Sequence, residues 1–137
     1  MPELRKGGCR CGAIRYEMSG KPVANIACHC RDCQYVSGGS PSLSMVFARA
    51  GFTLTAGSPK VYKARADYGG SSFCGHCGVH VFSQPNSRPD LIAIKVGSLD
   101  DPSSFRVDAD IWLKSAPAWH RPHDGARHIS GNIERSS

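Results

Sequence analysis

Seven cysteines hold the chemistry of this sequence. They are Cys9, Cys11, Cys28, Cys30, Cys33, Cys74 and Cys77, grouped as a C-x-C, a C-x-C-x-x-C and a C-x-x-C. A structural cysteine in a core is only a small hydrophobe and has no need of another cysteine two or three residues away. An odd number cannot pair completely, and the start of the chain shows no export signal, so a disulfide framework is not expected. Metal ligation is. Around zinc, bonds of about 2.3 Å bring neighbouring sulfurs to about 3.8 Å, a spacing that one or two intervening residues deliver. Thiolate ligation without a rubredoxin-like double knuckle favours zinc over iron.

Seven divides into four and three, and so do zinc sites. A closed structural site takes four protein ligands, whereas a catalytic site takes three and leaves a position open. Cys74-Gly75-His76-Cys77-Gly78 is a knuckle whose glycines permit a left-handed turn and free backbone N–H groups for sulfur. It is half a site, and Cys9-Arg10-Cys11-Gly12 is the other separate pair. Cys28-His29-Cys30-Arg31-Asp32-Cys33 supplies three thiolates from one short segment. The expectation is one site from Cys9, Cys11, Cys74 and Cys77 and a second from Cys28, Cys30 and Cys33. Zinc with three thiolates has a net negative charge and one free position. That position can take an incoming thiol as thiolate or polarise an aldehyde oxygen. Three electron-rich ligands weaken Lewis acidity, so handling a thiol fits better than activating water.

Other tempting residues have plainer readings. His29 lies between two ligands, but in an extended segment its side chain points away from them, so it supports them or sits at the surface. His76 is expected to face solvent. His120, His123 and His128 fall in a polar stretch and define no compact site, although any of them is available as a fourth ligand to the second zinc. Trp112 and Trp119 read as core or pocket wall, because no basic residues interleave with aromatics to make a stacking platform. Asp100-Asp101-Pro102 reads as a turn.

These groups must be positioned by strands. Ile14, Tyr16 and Met18 alternate with polar residues, the period of a half-buried strand. Ser42–Phe47, Val61–Ala64, Val79–Phe82, Leu91–Val96 and Asp110–Leu113 are similar runs. Gly38-Gly39, Gly57-Ser58-Pro59, Gly69-Gly70 and Pro85-Asn86 punctuate them. No segment has a sustained helical stripe, and the best helical candidate is a turn or two beginning near Arg31. With 137 residues, the chain would leave about 6,900 Å² exposed of about 21,000 Å² unfolded, which allows one modest core. One domain over residues 1–124 is expected, with residues 125–137 as a polar tail that frays.

Hydrophobic residues at 40% and charged residues at 20% exclude a disordered chain, and no apolar run is long enough to span a membrane. Met1-Pro2-Glu3-Leu4-Arg5-Lys6 lacks the apolar stretch of a signal peptide, so a cytoplasmic location is expected. The net charge of +6 would suit nucleic acid or a small anion. The basic residues are scattered, however, and part of the excess lies at Arg121, Arg127 and Arg135, so nucleic acid is not the expected partner.

Three blocks of this sequence resemble the glutathione-dependent formaldehyde-activating enzyme family, which includes centromere protein V. Gly8-Cys9-Arg10-Cys11-Gly12-Ala13-Ile14-Arg15-Tyr16 is similar to its opening. Cys28-His29-Cys30-Arg31-Asp32-Cys33-Gln34 with Ser37-Gly38 is similar to its central motif, and Ser72-Phe73-Cys74-Gly75-His76-Cys77-Gly78 with Phe82 to its knuckle. A weaker block runs from Val96-Gly97-Ser98-Leu99-Asp100-Asp101-Pro102 through Asp110-Ile111-Trp112 to Trp119. The resemblance implies a mainly β, Mss4-like fold of small antiparallel sheets around a structural zinc held by Cys9, Cys11, Cys74 and Cys77. It also implies a second zinc on Cys28, Cys30 and Cys33, catalytic and labile. The implied activity is a carbon–sulfur lyase reaction joining formaldehyde to glutathione as S-hydroxymethylglutathione. Glutathione is an anion, so Arg31 near the mouth would help it dock, or is simply a solvated or salt-bridged charge. The alternative is a zinc-stabilised protein- or nucleic-acid-binding module without catalysis. A methionine sulfoxide reductase of related fold would need a later redox cysteine, and none follows Cys77.

Overall fold

The computed structural model describes residues 3–67 and 69–133. Met1, Pro2, Tyr68 and residues 134–137 lie outside the described residues, and with them Arg135 and the end of the polar tail. In chain order the elements are β1 (Leu4–Gly8), β2 (Arg15–Ser19), β3 (Ala24–Cys28), helix α1 (Arg31–Ser37), β4 (Ser42–Ala48) and β5 (Phe52–Ala56). They continue with β6 (Lys60–Tyr62), β7 (Ser71–Phe73), β8 (His80–Ser83), β9 (Leu91–Lys95), β10 (Ala109–Ile111) and β11 (Arg127–His128). At 37% strand and 12% helix the protein is mainly β, as the period-two runs imply. No helix among the described residues is long and apolar enough to cross a membrane.

The strands form two sheets. A three-stranded sheet has the order β1-β2-β5, and an eight-stranded sheet the order β11-β10-β3-β4-β9-β8-β7-β6. Most pairs are antiparallel, but β10 runs parallel to both β3 and β11. The centre of the large sheet is buried on both faces. Met45 and Phe47 of β4, with Ile92 and Ile94 of β9, join the main core. The alternate residues Val46, Leu91 and Ala93 pack with Ala24 and Ile26 on the other face. Strands covered on both sides read as near-continuous apolar runs, which is why Leu91–Val96 shows little alternation.

The small sheet closes the main core from one side. Tyr16 and Met18 of β2 are buried there. The Tyr16 and Phe52 rings lie 5.5 Å apart, Phe52 and Phe82 lie 4.9 Å apart, and this chain of rings joins the two sheets. Each such side chain contributes roughly 1.5–3 kcal/mol when buried. The Tyr16 hydroxyl finds its partner in Ser98 Oγ at 2.8 Å. β1 is nearly devoid of the strand signal, because its last two residues are glycines. A Cβ on Gly7 would run into the Ser98 carbonyl oxygen and the Tyr16 hydroxyl, so only a bare backbone fits.

Residues 127–131 of the polar tail are paired through their backbone. Arg127 and His128 pair with Ala109 and Asp110, and the carbonyls of Ile129, Ser130 and Gly131 accept from Leu113, Lys114 and Trp112. Backbone pairing needs no apolar side chains, so composition could not reveal it. Helix α1 begins at Arg31 as expected and ends at Gly38, whose φ of 82° is the left-handed C-cap conformation.

Gly7→Ala should lower stability by about 2 kcal/mol or more, since the added methyl meets backbone rather than a movable side chain. Gly131→Ala, with open space around it, should change stability by less than about 0.5 kcal/mol. Urea unfolding of the two variants checks the contrast.

Candidate metal centres

Two hairpin loops supply the first cysteine cluster. Cys9 and Cys11 lie in the β1–β2 loop, where the Cys9 N–H bonds the Ile14 carbonyl at 3.1 Å. Cys74 and Cys77 lie in the β7–β8 loop, where the Cys74 N–H bonds the Val79 carbonyl at 3.0 Å. Each loop turns at a glycine after its second cysteine: Gly12 at φ 83° and Gly78 at φ 77°. In the left-handed region this suits glycine alone. The sulfurs of Cys9 and Cys11 are 3.6 Å apart, and those of Cys11 and Cys74 are 3.7 Å apart. Those separations match the edge of a zinc–sulfur tetrahedron, about 3.8 Å. All four Sγ atoms lie within 4.8 Å of one another. Backbone N–H groups point at them: Ile14 at Cys9 (3.2 Å), His76 at Cys74 (3.3 Å) and Cys77 at Cys74 (3.4 Å). The Val79 N–H, then the Cys11 N–H, hold Cys77 down at about 6. Burial works against Cys9, but the Ile14 N–H and the thiols of Cys11 and Cys74 outweigh it and lower it too. His76 is exposed, as expected of a knuckle loop.

The second cluster comes from one segment. Cys28 ends β3, Cys30 is the N-cap of α1, and Cys33 lies in its first turn. Their Sγ atoms are also within 4.8 Å of one another. Cys30 Sγ accepts from the Cys33 N–H at 3.4 Å. Hydrogen bonds from Cys28 and then Cys33 hold Cys30 down at about 2, whereas Cys33 is pushed up to about 12 and Cys28 is also raised.

A buried polar network braces this segment from behind. His29 is fully buried, and its backbone N–H bonds the Ile111 carbonyl at 2.9 Å. Its Nε2 donates to Asp110 Oδ1 at 2.8 Å, and its Nδ1 lies 2.9 Å from His120 Nδ1. His120 Nε2 donates to the Gly39 carbonyl at 2.6 Å. The two rings thus link Asp110, through His29 and His120, to the Gly39 carbonyl at the end of α1. Asp110 also accepts from the His123 N–H at 2.7 Å and from His123 Nδ1 at 3.0 Å. Burial alone would raise the Asp110 pKa, but the bonds from His29 and His123 outweigh it and keep the carboxyl below its ordinary range. Gln34 adds a further brace, donating to the carbonyls of His29 at 2.9 Å and Ser115 at 3.1 Å.

Sequence reasoning missed this network. The spacing of His120 and His123 suggests no compact site, yet His123 meets His29 on Asp110 and His120 bonds the other side of the His29 ring. The available signal was Asp110 itself, a lone carboxylate in the apolar run Ala109-Asp110-Ile111. Asp100 is a turn residue, as expected, and pairs with Arg15 at 2.9 Å. Trp112 lines the cleft described next, whereas Trp119 is 68% exposed and packs edge-on against His120.

The three-cysteine cluster opens into a cleft of about 680 Å³ over the large sheet. Its cations are Arg31, Arg65, Arg88 and Lys95. Arg65 is paired with Asp32 at 2.8 Å and Arg88 with Asp90 at 2.8 Å. Arg31 donates to Gln34 Oε1 and lies 4.8 Å from the centre of the Tyr35 ring. The four-cysteine cluster does not line this cleft.

The sequence model of the glutathione-dependent formaldehyde-activating enzyme family matches residues 4–115. The chain belongs to this family. Its fold is similar to the crystal structure of a Rhodobacter sphaeroides protein, with a TM-score of 0.60 at 21% identity, over 69% of this chain and 87% of that one. Both cysteine clusters of this family member have a donor set and spacing that fit zinc, four thiolates in one and three in the other.

The two clusters should respond differently to mutation. Cys74→Ser removes one of four sulfurs that meet across loops 63 residues apart in sequence, and a large loss of stability or solubility is expected if they share a metal. Cys30→Ser alters one local segment and should leave the fold standing; circular dichroism and thermal unfolding compare the pair. Asp110→Asn keeps the shape but removes the charge behind His29. Metal retention by the three-cysteine cluster should fall about 10- to 100-fold in a chelator competition, with the other cluster unaffected.

Proposed function

We propose that this protein is a zinc-dependent carbon–sulfur lyase that interconverts formaldehyde and glutathione with S-hydroxymethylglutathione. The observation that carries the reading is the position of the three-cysteine cluster, at the floor of a cation-lined cleft and apart from the four-cysteine cluster. Cys9, Cys11, Cys74 and Cys77 would hold a structural zinc. Cys28, Cys30 and Cys33 would hold a catalytic one, whose chemistry is to stabilise a bound thiol as thiolate at its open position.

The chain's own residues supply the rest. A glutathione carboxylate would meet Arg31 or the rim arginines on entry, and charge-assisted bonds orient it. Ile26, Val46 and Ala93 give the cleft an apolar floor beside the sulfurs. His29, Asp110 and Gln34 hold the cysteine segment in place while substrate exchanges. Reduced thiolates and a glutathione substrate both belong to a reducing compartment, so the proposed location is the cytoplasm.

Gently purified protein should contain roughly one to two zinc ions per chain, and mild chelation should remove one while the fold survives. Exchange NMR on glutathione and its hydroxymethyl adduct then measures the interconversion rate against a blank. Acceleration by wild type that is lost on chelation and in Cys30→Ser is the expected result. Glutathione binding without acceleration would point to a carrier. No binding with both zincs present would overturn the reading in favour of an interaction module.

A further inference from the structure

Lys95 ends β9 and lines the cleft together with Leu91 and Ala93 of the same strand. Its Nζ donates to Ser42 Oγ at 2.7 Å and to Ser44 Oγ at 2.9 Å. Ser42 is the register partner of Cys28, and Ser44 that of Lys95, so thiol, hydroxyls and ammonium occupy neighbouring rows of one sheet face. An ammonium has three donors, and the serines take two. Among the described residues no group accepts the third. Arg65 and Arg88 are held by carboxylates, and Arg31 by Gln34 and Tyr35. Lys95 forms no carboxylate pair among the described residues, and Cys28 lies one row away on the same sheet face. Burial pulls its pKa below the ordinary lysine range, and attraction to Cys33, Cys28 and Cys30 opposes that pull.

Joining a thiol to an aldehyde creates charge that the sulfurs cannot meet. The thiolate lone pair forms the C–S bond, and the carbonyl π pair moves onto oxygen as an alkoxide. A fixed donor in a dry site stabilises such a charge without reorganisation. We propose that Lys95 is a catalytic residue of this reaction, its third N–H donating to the aldehyde oxygen and passing a proton to the alkoxide. The neutral amine then takes the proton released when the next thiol becomes a thiolate, so the sum is RSH + R′CHO → RSCH(OH)R′. In the reverse direction the amine removes the hydroxyl proton as the C–S bond breaks. This assignment rests on the thiol–aldehyde reading of the same cleft.

The test compares zinc-loaded wild type, Lys95→Met and Lys95→Arg, with glutathione and formaldehyde as probes. Lys95→Met should keep the wild-type zinc content and bind glutathione with about unchanged affinity by calorimetry, while its catalysed rate above the blank falls about 100-fold. Lys95→Arg, which retains a charged donor, should recover part of that rate. A readout independent of turnover is the ¹⁵N resonance of the Lys95 ammonium, which should shift on addition of the hydroxymethyl adduct while other lysines do not. If Lys95→Met does not fold, Ser44→Ala, which frees one anchor of Nζ, should lower the rate about 10-fold. An unchanged rate in these variants overturns the assignment alone. Loss of zinc together with rate also overturns it, because Lys95 would then serve only to balance the metal site. Absence of acceleration by wild type brings down the thiol–aldehyde reading and Lys95 with it.

Discussion

Successive side chains on β3, β4 and β9 are committed to opposite faces of the large sheet. Met45, Phe47, Ile92 and Ile94 take the core face, so the residues between them must take the other. That other face is where Cys28, Ser42, Ser44 and Lys95 meet. A slip of one residue in the β4–β9 register would drive Lys95 toward Met45 and the Phe82 ring and lift Ile94 into the cleft. The cost of burying an unpaired ammonium in that core holds the register. The composition of the cleft floor is therefore set by the same hydrophobic burial that stabilises the domain. The small sheet supports this arrangement by covering the opposite face with Tyr16, Met18 and Phe52.

The cysteine partition was legible from spacing because metal chemistry is short-range, and a tetrahedron of sulfurs demands ligands close in sequence or in paired loops. The strands around Tyr16, Met45 and Ile92 were legible because burial imposes a period or an apolar run. β1 was not, since Gly7 and Gly8 are there to make room and leave no pattern. β3 was hidden by its mixed run Ala24-Asn25-Ile26-Ala27-Cys28, and β11 by its polarity. The histidine network was illegible for a different reason. It joins residues 81 and 91 positions apart through the parallel pairing of β3 with β10, and no local signal encodes that pairing. Lys95 was concealed inside an apolar run, where a single lysine reads as an ordinary polar interruption.

The two clusters differ in what holds their sulfurs together. Cys9, Cys11, Cys74 and Cys77 come from loops of different sheets, so whatever binds them also ties those sheets. Backbone donors from Ile14, His76 and Cys77 point at their sulfurs. The three sulfurs of the second cluster need no long-range closure, because Cys28, Cys30 and Cys33 belong to one strand–helix junction. That junction is fixed instead by neighbours: the Ile111 carbonyl, Asp110, His120 and Gln34 all grip His29 or the turn after it. A site braced from behind can lose or exchange a ligand at its open side without unfolding.

Charge is separated across the thickness of the sheet. On the back, Asp110, His29 and His120 form a buried hydrogen-bonded chain. On the front, the sulfurs face Lys95 with no carboxylate between them. Alternation along the chain produces this split, since Cys28 and Ile111 point into the cleft and His29 and Asp110 point away from it. The charged groups that line the cleft are the sulfurs and Lys95, together with Arg31, the Arg65–Asp32 pair and Arg88. A substrate that brings a thiolate and leaves an alkoxide shifts negative charge from the sulfurs toward Lys95.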